Sequence, residues 1–229
     1  VEYVGEERKQ ASLEAYYQNL SAEQRHGIEA VAMDMWEPYI QATRAHVPDA
    51  TEKIVFDRFH LMSYVGKAVD TVRKREHRER LAQGDETLTG TKYLWLYGRE
   101  NIPASRRREF AALRRLELKV GRAWAIKETL RELWHYRYPA AARRFWQRWY
   151  FWATHSRLQP IRAAAATLKR HLANILTYFQ HRITNAVSEG LDSKIQAIKH
   201  MACGFRNIEH FKTAIYFHCG GLHLYPATP

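Results

Sequence analysis

Two short apolar runs, each closed by an acid, constrain this chain more than any other feature. IEAVAMDMW (28–36) and KIVFDRFH (53–60) are both rich in aliphatic residues and end in Asp34 and Asp57. Runs of this length suit strands buried on both faces. Between them lies EPYIQATRAHV, whose Glu37-Pro38 pair fits a helix's first turn, where proline lacks no needed donor. Strand, helix, strand within about 30 residues reads as a βαβ unit, so the two strands should run parallel.

Upstream, VEYVG alternates and predicts a short strand over residues 2–4. Leu13, Tyr16, Tyr17 and Leu20 then recur at helical spacing, with Ser12 and Ser21 placed to cap two short helices. From Leu61 to about Tyr178 strand signals nearly vanish. GKAVDTVRKREHRERLAQ, SRRREFAALRRLELKVGRAWAIKETLRELWHY, AAARRFWQRWYFWATHSRL and IRAAAATLKRHLANILTYF all read as amphipathic helices, punctuated by Gly84, Gly90, Pro103, Pro139 and Pro160. The expected class is α/β and helix-rich, with an α/β start, a long helical middle and a final segment around Glu189.

The chain has 229 residues, 46% of them hydrophobic, so a substantial core is available. Its formal net charge of +12 favours a polyanionic partner, with nucleic acid ahead of an anionic membrane surface. Cys203 and Cys219 are the two cysteines, too few for a disulfide framework and suited to a reducing compartment. HCGGLH, from His218 to His223, lacks an evident fourth ligand for a structural metal. No apolar run approaches the roughly 20 residues needed to span a bilayer, and no secretory signal opens the chain. The first residue is Val1 and the pattern begins in mid-element, so we expect a piece of a longer product.

Open α/β sheets place ligands and catalytic groups beyond the C-terminal ends of their strands. Asp34 and Asp57 occupy that position, although either acid would equally serve a helix start or a local turn. His60 stands three residues after Asp57, within reach of a carboxylate–imidazole pair. Glu189 precedes a run studded with bases, where an acid also suits the positive end of a helix. Carboxylates gathered in a strongly basic protein repel one another unless a cation lies between them, and paired Mg²⁺ ions fill that role. Arg182, Asn185, Lys194, Lys199 and Arg206 surround Glu189 and are the best candidates for phosphate contacts. Trp146, Trp149 and Trp152 are three apart among Arg143, Arg144, Arg148 and Arg157. Trp146 and Arg148 are candidates for holding a base and its phosphate, whereas core packing is the expectation for Trp149 and Trp152. RKREHRER (73–80) reads as a solvated helix face.

Several blocks carry a family likeness. VAMDMWEPYI, IVFDRFHLMSYVGKAVDTVR, TGTKYLWL, WAIKETLRELW, RITNAVSEGLDSKIQAIK and CGFRNIEHFKTAIYFHCGG resemble, in order along the chain, the catalytic half of bacterial insertion-sequence transposases of the ISL3 type. The resemblance implies a DDE transposase whose RNase H-like core is interrupted by a helical insertion before its last acid. Residues 1–65 would be the N-terminal part of that core, with its first strands lying upstream. Residues 66–178 would be the insertion, and 179–229 the C-terminal part of the core. Asp34 would match the second acid and Glu189 the third, both as ligands of Mg²⁺ or Mn²⁺. Asp57 and His60 would match an Asp-x-x-His signature. The family's first Asp falls upstream of Val1, and Asp192 stands where Asn is the family's residue.

The implied activity is metal-dependent strand cleavage and strand transfer at insertion-sequence ends. Its partners would be terminal inverted repeats, target DNA and further copies of the protein, in a bacterial cytoplasm and on the nucleoid when bound. These residues alone are expected to be inactive for want of the first acid. Two alternatives stay open: a catalytically dead DNA-binding or subunit-interaction segment, and a non-transposing nuclease of the same fold.

Overall fold

The computed structural model describes residues 1–183 and 186–221, the side chains of 186–189 excepted. The chain forms two compact units, one made of Val1–Val55 with Ile183–Pro229 and the other of Phe56–Arg182.

In the split unit, strand β1 (Val31–Met33) pairs in parallel with β2 (Ile54–Phe56), joined through the helices Glu37–His46 and Ala50–Lys53. Pro38 lies in the first turn of the longer helix. Both strands are short, and β2 is buried throughout. The helix Gln10–Asn19 packs on Glu37–His46. Tyr17 seals that contact: it is buried, and its hydroxyl meets Thr43 Oγ1 at 3.0 Å. Because Thr43 Oγ1 donates to the Tyr39 carbonyl, the tyrosine is the donor. Ser21 opens the helix Ala22–His26 with a complete capping box, exchanging backbone and side-chain bonds with Gln24. The helices Ala186–Met201 and Ile208–Cys219 pack together. Cys203 and Gly204 turn the chain between them with positive φ, and Asn207 caps the second through the Glu209 N–H.

The helical unit is organised on the 24-residue helix Arg58–Leu81. Leu61, Val65, Val69 and Val72 form its buried stripe, against the helices Lys119–Arg131 and Gln159–Arg170. Glu76 lies on the same side and is only 4% exposed. Its carboxylate accepts the Lys119 and Val120 N–H groups at 2.8 and 2.7 Å, so one helix supplies the N-terminal cap of another. Trp95, Phe110 and Trp124 make an edge-to-face chain, with centroids 5.1 and 5.0 Å apart. Trp149, on the helix Pro139–Thr154, donates its indole N–H to the Ile126 carbonyl at 2.8 Å.

Three local expectations are corrected. Residues 2–4 form no strand. The Val4 N–H goes instead to the Tyr216 hydroxyl at 2.9 Å, and the Val1 ammonium to the Cys219 carbonyl at 3.0 Å. Ser12 does not cap a helix, because that helix already starts at Gln10, with Lys9 at the cap. Trp152 is 37% exposed while Trp149 is buried. At about 100° per residue, aromatics at i, i+3 and i+6 drift by about 60° a step, so the third leaves the buried stripe. Ala153 takes its place in the core.

Candidate active site

β1 ends at Met33, and Asp34 follows directly. Its carboxylate is 27% exposed and receives the Arg8 guanidinium at 3.1 Å. That guanidinium also lies 4.8 Å from the Trp36 ring centre, a cation–π contact that fixes its plane. The Asp34 carbonyl accepts the Trp36 N–H at 2.8 Å, which turns the chain sharply after the strand. Asp34 is thus a partly exposed acid at a strand end, charge-balanced by an arginine. The sequence pattern alone did not single out Arg8; its one signal is its place in the charged stretch EERKQ ahead of the first helix.

β2 ends at Phe56, and Asp57 follows in the same way. Asp57 caps the helix Arg58–Leu81 by accepting the His60 N–H at 3.1 Å, and the same oxygen meets His60 Nδ1 at 2.9 Å. The carboxylate is 4% exposed and the imidazole 44%. One acid therefore does two jobs, starting the helix and orienting a solvent-facing imidazole. A buried carboxylate on Nδ1 holds a histidine with Nε2 turned outward, the arrangement that makes imidazole a positioned donor, acceptor or ligand.

Glu189 lies in the helix Ala186–Met201, and its side chain, like all of Asn185, is outside the described residues. Lys194 donates to the His218 carbonyl, tying the two C-terminal helices together, and stays exposed. Lys199 and Arg206 are exposed. Arg182 is committed to the helical unit. It donates to the Tyr136 and Arg137 carbonyls at 3.3 and 2.6 Å and packs over Tyr178 and Phe179. Arg148 is exposed, but Trp146 is 2% exposed and packs 5.1 Å from Trp149. Trp146 therefore offers no face to a base, which corrects that expectation. The apolar stripe of its helix has claimed the ring.

Among the described residues, which do not include the Glu189 side chain, no group of three or more His, Cys, Asp or Glu stands close enough to hold a metal. Asp34 has the chemistry expected of a hard-cation ligand: an oxygen donor, reachable from solvent, at a strand end. The HCGGLH motif passes outside the described residues at Leu222.

The family model of the ISL3-type DDE transposases, described as a transposase family, matches residues 1–215. The chain belongs to that family. Transposase for insertion sequence element IS1001, from Bordetella parapertussis, is 28% identical over 212 residues, covering 91% of this chain and 52% of that protein. Transposase for insertion sequence element IS1557, from Mycobacterium tuberculosis (strain CDC 1551 / Oshkosh), is 22% identical over 220 residues, covering 86% of this chain and 49% of the relative. This ISL3-type chain thus spans about half the length of the curated relatives it matches. No solved structure matches it significantly. Among its described residues no helix is long and apolar enough to cross a membrane.

Proposed function

We propose that this chain is the part of a DNA transposase that carries two of its three catalytic acids, Asp34 and Glu189, in an RNase H-like core interrupted by the helical unit. The observation that carries the reading is Asp34, directly after a parallel strand, in a chain that belongs to a DDE transposase family. The activity is hydrolysis of a phosphodiester at an insertion-sequence end, then attack of the released 3′-hydroxyl on target DNA.

Asp34 and Glu189 would hold Mg²⁺ or Mn²⁺, which when bound supplies Lewis acidity at the phosphoryl oxygens. Arg8 balances the Asp34 charge and fixes its rotamer through the Trp36 contact. Lys194, Lys199 and Arg206 neutralise backbone phosphates, which fixes register without reading sequence. Asp57 keeps the His60 imidazole oriented toward solvent. The partners are terminal inverted repeats, target DNA and other copies of the protein. The 229 residues hold two of the three acids that the family likeness implies, so on their own they should not cleave DNA.

The test is donor-strand cleavage by a full-length relative altered at the positions aligned with Asp34 and Glu189. Alanine at either should abolish cleavage while DNA binding persists. Undiminished cleavage by both variants would sink the assignment.

A further inference from the structure

The long helix Arg58–Leu81 has two lengthwise faces, and only one is spent on the core. The other carries Phe59, Ser63, Gly66, Lys67, Asp70 and Lys74, each three or four residues from another of the set, so they share one side over four turns. This face borders a cavity of about 580 Å³ within the helical unit, whose opposite wall includes Lys92, Asn101 and Arg131. Gly66 makes the room: no heavy atom lies within 4 Å of the place its Cβ would take.

The charges in this cavity are not evenly matched. Asp70 is answered by Arg73 and Lys74, at 2.8 and 2.9 Å. Arg131 answers both Glu100 and Glu128. Lys67 and Lys92 are exposed, and among the described residues neither pairs with a carboxylate; Lys92 lies over the Tyr93 ring. At one end stands Phe59, 64% exposed, its ring edge-on to His60 with centroids 5.8 Å apart. An aromatic ring left in water at a cavity that also presents Lys67 and Lys92 has the parts of a stacking platform with a phosphate contact.

We propose that this cavity seats one nucleotide of an unpaired DNA strand, its base against Phe59 and its phosphate between Lys67 and Lys92. The volume lies within the range of sites that enclose a small organic ligand, and it is too small for a duplex. The proposal rests on the DNA reading above. It also moves the base-holding role from Trp146, which is buried, to Phe59, which stands beside the Asp57–His60 pair.

The test uses the purified chain with a short single strand carrying one 2-aminopurine, a matching duplex, and free dAMP. The single strand should bind with quenching of the 2-aminopurine. Phe59→Ala should weaken that binding about tenfold and remove the quench. Gly66→Leu, which fills the cavity, should do the same while duplex binding stays unchanged. A thermal melt within a few degrees of the parent shows that each variant is folded, and Phe59→Ala, at an exposed ring, keeps the test alive if Gly66→Leu does not fold. Equal affinity and quench in both variants would overturn the proposal. So would duplex binding without single-strand binding, which leaves the DNA reading standing. Binding to neither overturns both readings. Free dAMP binding as tightly as the strand would assign the cavity to a free nucleotide and overturn the strand assignment.

Discussion

The two units solve different problems. The helical unit buries aromatics and aliphatics along nearly every helix, with Trp95, Trp124, Trp146 and Trp149 all at most 3% exposed. Two of its buried charged groups are answered as well, although the Trp134 indole N–H is buried without a hydrogen-bond partner among the described residues. Glu76 caps a neighbouring helix, and Lys127 donates to the carbonyls of Leu96 and Tyr97 at 3.0 and 2.8 Å. In the split unit, by contrast, the last two helices bury only Ile198 and Ile215 among their described side chains, while Met201, Ile208 and Phe217 are exposed. Its acid Asp34 is balanced by an exposed ion pair rather than a core network. Buried packing is thus concentrated in the helices between Phe56 and Arg182, while Asp34 is kept reachable.

Trp149→Ala should have the largest effect, because it removes a large buried ring and its bond to Ile126. We expect a loss of about 3–5 kcal/mol, read from urea unfolding. Ile215→Ala should cost no more than about 2 kcal/mol, the low end for a buried aliphatic, since its surroundings are thin and can relax. Equal losses would erase the distinction between the units.

Glu76→Ala should come next. It leaves two N–H groups buried without an acceptor, for a loss of about 2–3 kcal/mol, and Glu76→Gln should recover part because one carbonyl oxygen still accepts. A smaller effect in the helical unit depends on pH. The Arg131 hydrogen bond and charge hold the Glu100 carboxyl down at about 2. A depressed carboxyl contributes stability above its unfolded value, and that contribution is lost as pH falls toward the folded value. Acid unfolding monitored at Trp124 should therefore show a contribution that fades between about pH 4.5 and 2. Arg131→Gln should move that loss to higher pH. The smallest effect belongs to Asp34→Asn, which breaks an exposed pair and should shift stability by less than about 1 kcal/mol. A larger loss would make Asp34 a structural residue.

Much of this was legible where the physics is local. The Ser21 cap, Pro38 at a helix start and the Asp57–His60 spacing each depend on residues at most four apart. The parallel pair was legible too, because two apolar runs flanking a helix leave few other arrangements. What failed depends on distant partners. Residues 2–4 have strand-like alternation, yet the Val4 N–H meets a tyrosine 212 residues away. The tryptophan stripe misled because spacing by three alone does not follow a helix face for long. Arg8 on Asp34 joins segments 26 residues apart that share no periodicity, so only the fold brings them together. The cavity beside Phe59 depends on a far wall some 30 to 70 residues further along the chain, which helix periodicity cannot see.

The proposal that Asp34 and Glu189 belong to one divalent-metal site is open to a direct measurement. It is tested most directly by titrating Mn²⁺ into the ¹⁵N-labelled chain and following paramagnetic broadening of its amide signals. Amides around Asp34 and around Glu189 should broaden together at the lowest Mn²⁺ concentrations, and Asp34→Asn or Glu189→Gln should remove the effect at both places. Broadening at one acid without the other, or unchanged broadening in both variants, would contradict it.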